Sequence, residues 1–271
     1  MGLLIRNWHY TFANITMKHM KQAFILFCFV LMVLPTQSQT IAKSLYAEYA
    51  YIHVPKENVA LYNRFGMVKY RFYSDEKFLH FESYQDIPLT DPSKTGPTLR
   101  SSIIRERASD IVYVCLSFDT LRIKMVGGKE ERASFQKLAS AFNSGSSSIY
   151  REGKKKTDIQ GFSCRELLVK GKFADTISAY FSNQIVLDPK IADFPLYTSS
   201  GGAPYGLMLG RDEELMGNFL EFRAIKLEIN QPRKISAELA SYQLVSPEKG
   251  ETMMKDLLAK MMVPAPGAGK N

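Results

Sequence analysis

The sequence predicts a mainly β, β-rich α+β fold: a single curled antiparallel sheet or incomplete barrel with two helices. Three observations predict it. Short apolar segments, several strictly alternating, recur between turn signals along most of the chain. Apolar residues at helical spacing occupy only two stretches. The best amphipathic strand, Phe219 to Ile229, shifts its apolar set by one residue midway, as a β-bulge does when it bends a strand.

Ahead of the strands, Ala23 to Leu34 reads AFILFCFVLMVL, with Lys18 and Lys21 before it and Pro35-Thr36-Gln37-Ser38-Gln39 after it. A basic flank, an apolar run of this length and a small-residue exit predict a signal peptide over residues 1–38, cut before Gln39. The run is short for a membrane-spanning helix. Residues 1–19 add length that a leader does not need, so Met17 and Met20 are alternative starts, and a retained N-terminal anchor is the other reading. Cys28 follows the large Phe27 inside the apolar run, which argues against lipidation there.

Residues 39–263 then form one β-rich domain. Leu45 to Ile52 is a tyrosine-rich strand. In Met67 to Ser74, Val68, Tyr70 and Phe72 share one face, with Lys69 and Arg71 on the other. Asp75-Glu76 turns the chain into Lys77 to Tyr84, the return arm of a hairpin. Asp86 to Gly96 is a loop. Ile111 to Phe118 is apolar on both faces, hence a central strand, and Leu121 to Val126 follows after Asp119-Thr120.

The first helix is predicted near Glu130–Phe142, where Phe135, Leu138, Ala139 and Phe142 make one stripe and Glu130 and Glu131 sit in the first turn. Lys154-Lys155-Lys156 reads as a solvated turn. Cys164 to Val169 and Thr176 to Phe181 are strands, Asn183 to Gly202 is irregular, and Tyr205 to Leu209 is a short strand. Asp212-Glu213-Glu214 reads as a solvated hairpin loop without the alternating oxygen ligands of a calcium loop. In the bulged strand Leu220, Phe222 and Ala224 share one face, and Ile225, Leu227 and Ile229 take over in opposite phase. Lys234 to Leu244 alternates and reads as a strand. Ser246-Pro247 opens the second helix as N-cap and N1. Met253, Met254, Leu257, Leu258, Met261 and Met262 line its apolar side, and Pro264 to Asn271 is a disordered tail.

Composition excludes several classes. The formal charge is +8 over 271 residues. Removing residues 1–38 leaves 233 residues (271 − 38) and a charge of +5 (+8 − 3), since the leader holds Arg6, Lys18 and Lys21 and no acid. No basic stripe interleaved with aromatics points to nucleic acid. Cys115 and Cys164 remain, too few for a disulfide-stapled scaffold. An oxidising compartment permits a bridge between them, and burial as free thiols in strands is the alternative. The only tryptophan, Trp8, lies in the leader. His53 and His80 lack partners at metal-ligand spacing and read as sheet-face or surface residues. No G-x-S-x-G, Walker A or G-x-G-x-x-G motif is present. Neither a catalytic set, a metal site nor a cofactor is expected.

Three patches carry a family resemblance. Ile159-Gln160-Gly161-Phe162-Ser163-Cys164, Ala179-Tyr180-Phe181-Ser182 with Ile185, and Gly202-Ala203-Pro204-Tyr205-Gly206-Leu207-Met208-Leu209 resemble, in order and spacing, the motifs of the GLPGLI family of exported proteins of Bacteroidetes-type bacteria. The box departs from the family at Ala203 and at the inserted Tyr205. From Phe219 through the last helix the chain looks like LolA-like, lipoprotein-carrier-like domains, whose curled antiparallel sheet cradles helices. The resemblance implies fold and an exported, periplasmic or outer-membrane-associated location, not a reaction. Gly161, Cys164, Pro204 and Gly206 read as structural motif residues, the glycines standing where a Cβ is unwelcome.

The expected function is therefore non-catalytic binding at the cell envelope. The partner would be an apolar small molecule or lipid held on the curled sheet by Tyr49, Tyr51, Tyr70, Phe72, Phe81, Phe219 and Phe222. The alternative is an accessory structural subunit of an outer-membrane protein assembly.

Overall fold

A computed structural model of the chain describes residues 39–55, 57–58, 68–86, 98–128, 150–169, 177–200, 203–215 and 217–262. The leader, the helix expected near 130–142 and the tail 264–271 lie outside the described residues. The strands in chain order are β1 (Thr40–Ala42), β2 (Leu45–His53), β3 (Val68–Ser74), β4 (Phe78–Asp86), β5 (Thr98–Glu106), β6 (Ile111–Phe118), β7 (Leu121–Gly127), β8 (Tyr150–Ile159), β9 (Phe162–Val169), β10 (Ile177–Ser182), β11 (Ile185–Leu187), β12 (Tyr197–Ser200), β13 (Ala203–Leu215), β14 (Asn218–Ile229) and β15 (Gln243–Leu244). Two α-helices are described, α1 (Ile235–Ala240) and α2 (Pro247–Met262).

The protein is mainly β. Thirteen of these strands form one open sheet in the order β15-β7-β6-β5-β4-β3-β2-β14-β13-β10-β9-β8, with β12 added on β13. Only β15 pairs parallel within it. β1 and β11 make a separate two-stranded parallel ribbon. The ends of the order do not meet, so the sheet is not a closed barrel.

The β3–β4 hairpin forms because Asp75 organises its turn. The Asp75 carboxylate accepts hydrogen bonds from the Lys77 and Phe78 amides at 2.8 and 2.7 Å, as an Asx residue does in tight turns. The phase flip in β14 is a bulge: the register with β2 steps from Ala224–Tyr49 to Lys226–Glu48, leaving Ile225 as the extra residue.

Strand alternation divides the sheet into two buried faces. On one, Leu45, Ala47, Tyr49, Phe72, Leu79, Phe81, Phe222 and Ala224 pack with residues of β9 to β13 and with Ile191, Phe194 and Leu196. On the other, Tyr46, Tyr73, Phe78, Ile104 and Cys115 meet Ile235, Leu239 and Tyr242 of α1 and the turn after it. Leu116 and Ile123 form a third cluster with Val245 of the segment before α2. Gly250 of α2 seats against Met125: a Cβ there would lie 2.0 Å from its sulfur.

Four readings of the sequence are corrected. Lys234 to Leu244 is not one strand but α1 followed by β15. Ile235, Leu239 and Tyr242 are buried at helical spacing, whereas Ala237, which the alternation would bury, is exposed. Lys154 to Lys156 lie within β8, not in a turn; a register shift between Glu152 and Lys156 marks a bulge, and the Lys155 amide donates to Glu166 Oε2 at 3.0 Å. Asp212 to Glu214 belong to β13, which runs six residues past the predicted end at Leu209. Asp212 pairs with Arg223 of β14, and Glu213 pairs with Arg211 of its own strand at 3.0 Å and accepts from the Tyr51 hydroxyl at 2.9 Å, so two of the three acids have protein partners rather than solvent alone. The stretch expected to be irregular holds β11, a 3-10 turn at Pro189–Ile191 and β12.

Candidate binding site

The seven aromatics expected to line a cavity are placed as follows. Tyr49, Phe72 and Phe222 are fully buried, and Phe81 is 6% exposed. Their rings fill the space between strands: Tyr49 stacks on Phe222 at 5.2 Å and meets Phe72 edge-on at 5.7 Å, and Phe72 lies 5.0 Å from Phe81. Tyr51 and Tyr70 flank Phe222 at 5.0 and 5.9 Å. These contacts are those of a close-packed core. Strands β9 to β13 and the 3-10 segment cover this face, and so Tyr49, Phe72, Phe81 and Phe222 are core side chains rather than the lining of an open cavity. Phe219 stands apart, 48% exposed near His53.

The motif residues have structural settings. Gly206 adopts φ +97°, and a Cβ there would lie 2.0 Å from the Ser182 carbonyl oxygen. Gly161 has φ +78° in the β8–β9 turn with open space around it. Pro204 lies in β13 opposite Ser199. Cys164 is buried in the first core cluster and Cys115 in the second, both as free thiols. Burial pushes both thiols up to about 12.

The other face of the sheet holds a polar hollow. It lies between strands β2 to β7 and α1, with a volume of about 290 Å³. Its floor is made by Tyr73, His80 and Glu82, and its walls by Arg71, Arg100, Arg122, Arg233 and Glu238. The strand period explains the convergence. His80 and Glu82 are two residues apart on β4, so both point to this face, and Tyr73 and Arg71 are their cross-strand partners on β3. Arg100 comes from β5 and Arg122 from β7. Glu238 arrives on α1.

Charge is arranged in tiers here. Arg71 holds Glu48 at 3.3 Å and Glu82 at 3.2 Å, and its guanidinium stacks on the Tyr84 ring at 3.8 Å. Arg100 reaches the same Glu82 oxygen at 3.9 Å. Arg233 covers the Tyr46 ring at 3.4 Å and pairs with Glu228 at 2.6 Å. Arg122 donates to Ser241 Oγ at 3.4 Å. Burial works against the Arg71 charge, but Glu82, Tyr46, Tyr84 and Glu48 outweigh it and raise its pKa. Burial, assisted by Arg71 and Arg233, pushes His80 down to about 3, so the imidazole is neutral. Burial raises the Glu82 carboxyl despite Arg71 and Arg100, and Glu238 adds to the rise.

A wider hollow of about 740 Å³ adjoins the first. The two share Tyr73 and Arg233, and the second adds Lys43, Lys77, Lys190 and Asp188. The Tyr73 hydroxyl sits between them, donating to Asp75 at 2.8 Å and accepting from the Arg233 amide at 3.1 Å.

Sequence reasoning missed this site. The signal was there in His80-Phe81-Glu82: two ionisable residues at strand spacing beside a core phenylalanine, opposite Arg71. Glu238 gave no such signal, because its segment read as a strand.

No known family description matches the chain, and no curated protein does. Among solved structures it is similar to PNGF-II, with 9% identity and a TM-score of 0.37 over 76% of this chain and 31% of that one. It is also similar to an uncharacterized conserved protein from Thermus thermophilus, with 10% identity and a TM-score of 0.33 over 76% of this chain and 91% of that one. A third likeness is to MucB in complex with MucA(peri), with 10% identity and a TM-score of 0.29 over 75% of this chain and 56% of that one. The chain thus spans about a third of the length of PNGF-II.

Proposed function

We propose that this protein is an exported, non-catalytic binding protein whose ligand is a small anionic molecule held in the hollow between the sheet and α1. One observation carries the reading: four arginines and two glutamates converge on a hollow whose floor is buried histidine and glutamate. Burying charge is costly unless it is paired. Arginine forks suit carboxylate and phosphate oxygens, and Arg100 and Arg122 stand at the exposed side of the walls with donors to spare beyond their long contacts to Glu82 and Ser241. The site therefore favours a polar anion over the apolar ligand that the aromatic residues suggest in sequence. Export rests on the leader pattern of residues 1–38.

Native mass spectrometry of protein recovered from its own cell envelope tests this. The expected result is a retained small-molecule mass that disappears in the Arg100→Ala/Arg122→Ala double variant while the fold persists by circular dichroism. A wild-type protein recovered bare, or a ligand that survives both substitutions, rejects the proposal.

A further inference from the structure

The floor of the hollow contains a group with an unmet bonding capacity. His80 is 6% exposed, and its Nε2 has no hydrogen-bond partner among the described residues. The charged atom facing it is Glu82 Oε2, at 3.9 Å, beyond hydrogen-bond length. Glu82 is itself 3% exposed, and its contacts to Arg71 and Arg100 both run to the other oxygen, Oε1. Glu238 on α1 supplies a third donor: one ligand atom each from His80, Glu82 and Glu238 lies within 4.8 Å of the others.

Two like-charged carboxylates stand close together here beside a buried imidazole nitrogen that has no partner among the described residues. A cation between them satisfies all three. We propose that His80, Glu82 and Glu238 bind one divalent transition-metal ion of the zinc type at the floor of the hollow. The proposal rests on reading the hollow as an occupied site and adds an ion to it. One imidazole with two carboxylates selects a transition ion over magnesium or calcium, which take oxygen ligands alone. Three protein ligands are the number that zinc keeps where a further position is left for a small molecule. That position is available to an oxygen of the anionic ligand.

The site closes by side-chain motion. Ligands about 2.0–2.1 Å from zinc stand roughly 3.3 Å apart across a tetrahedral angle, so no pair of donors has to draw in by more than about 1.5 Å. Glu238 is half-buried on a six-residue helix and can make that shift by rotation. The arginines do not forbid it. Arg71 and Arg100 contact Glu82 through Oε1 alone, which leaves Oε2 facing His80 for the ion, and Arg233 is paired with Glu228.

The test uses the full chain, stripped with a chelator, dialysed and titrated with Zn²⁺ by calorimetry. The expected result is a zinc-binding event that Glu238→Gln weakens at least tenfold and His80→Ala removes, while His53→Ala leaves it unchanged. If His80→Ala fails to fold by circular dichroism, Glu238→Gln decides alone, because its position is not core. A wild-type protein that takes up no Zn²⁺, or a Glu238→Gln affinity less than tenfold below wild type, overturns the proposal. The anionic ligand is scored separately by native mass spectrometry, so retained ligand without zinc binding rejects the ion and spares the binding function.

Discussion

Tyr73 and His80 face each other across the β3–β4 ladder, and both side chains turn toward α1. Their neighbours Phe72 and Phe81 form the next pair and turn the opposite way, into the aromatic core. One hairpin thus feeds a dry face and a polar face from alternate residues. The aromatic core holds the strands in register, and the register places Tyr73, His80 and Glu82 together on the floor of the hollow.

Tyr73→Phe should separate these roles. The hydroxyl donates to Asp75 and accepts from the Arg233 amide, tying the hairpin turn to the segment that leads into α1. Its loss leaves a partly buried donor and acceptor less satisfied, at about 1 kcal/mol. Urea denaturation should show that decrease with an unchanged slope. No loss would mean that α1 is held by its apolar contacts alone.

Gly206→Ala should be among the most damaging small substitutions. The new methyl group would meet the Ser182 carbonyl oxygen at 2.0 Å in a positive-φ conformation that L-residues avoid. The expected cost exceeds about 3 kcal/mol. Gly161→Asn is the matched control: φ is also positive, but space is open and asparagine tolerates it, so the cost should be about 1 kcal/mol or less. Equal effects in thermal unfolding would show that the close approach to Ser182 does not matter.

The contrast between these glycines indicates how much the sequence disclosed. The β-rich fold was legible because Val68 to Ser74 and Ile111 to Phe118 pattern as strands, and the bulge at Ile225 was legible because the apolar phase changes there. The α1 segment was not, since Ile235 and Leu239 fit both a period of two and one of 3.6; only burial by Tyr46 and Cys115 decides between them. The aromatic residues were correctly placed on strands, yet their face could not be known, because covering by β9 to β13 is a long-range fact. The polar site was hidden for the same reason: Glu238 stands far from His80 and Glu82 in sequence.

Phe222→Asp and Phe219→Asp give opposite expectations on the same strand. Phe222 is fully buried among Tyr49, Tyr51 and Tyr70, so an aspartate there leaves an unpaired charge in the core and should prevent folding. Phe219 is 48% exposed, and its aspartate should change stability by about 0.5 kcal/mol or less. Soluble yield and circular dichroism report both. A folded Phe222→Asp protein would show that the aromatic cluster opens to water.

The last prediction concerns the thiols. Burial, the largest cause at both sites, raises Cys115 and Cys164 from 9.0 to about 12. Thiolate is the reactive form, so at pH 8 each native thiol should alkylate about a thousandfold more slowly than the same cysteine in the unfolded chain. Stability carries the same signature. Below pH 9 the thiol is protonated in both states and contributes nothing to pH dependence. Between 9 and 12 the unfolded thiol ionises while the folded one does not, so the unfolded state binds fewer protons and stability falls as pH rises. For Cys164 alone the loss from pH 9 to 10.5 is about 1.5 kcal/mol, and Cys164→Ser should remove that part of the alkaline slope. Rapid labelling of native Cys164, or an alkaline slope that Cys164→Ser leaves unchanged, would place this thiol in contact with solvent rather than in the core beside Leu167 and Ile159.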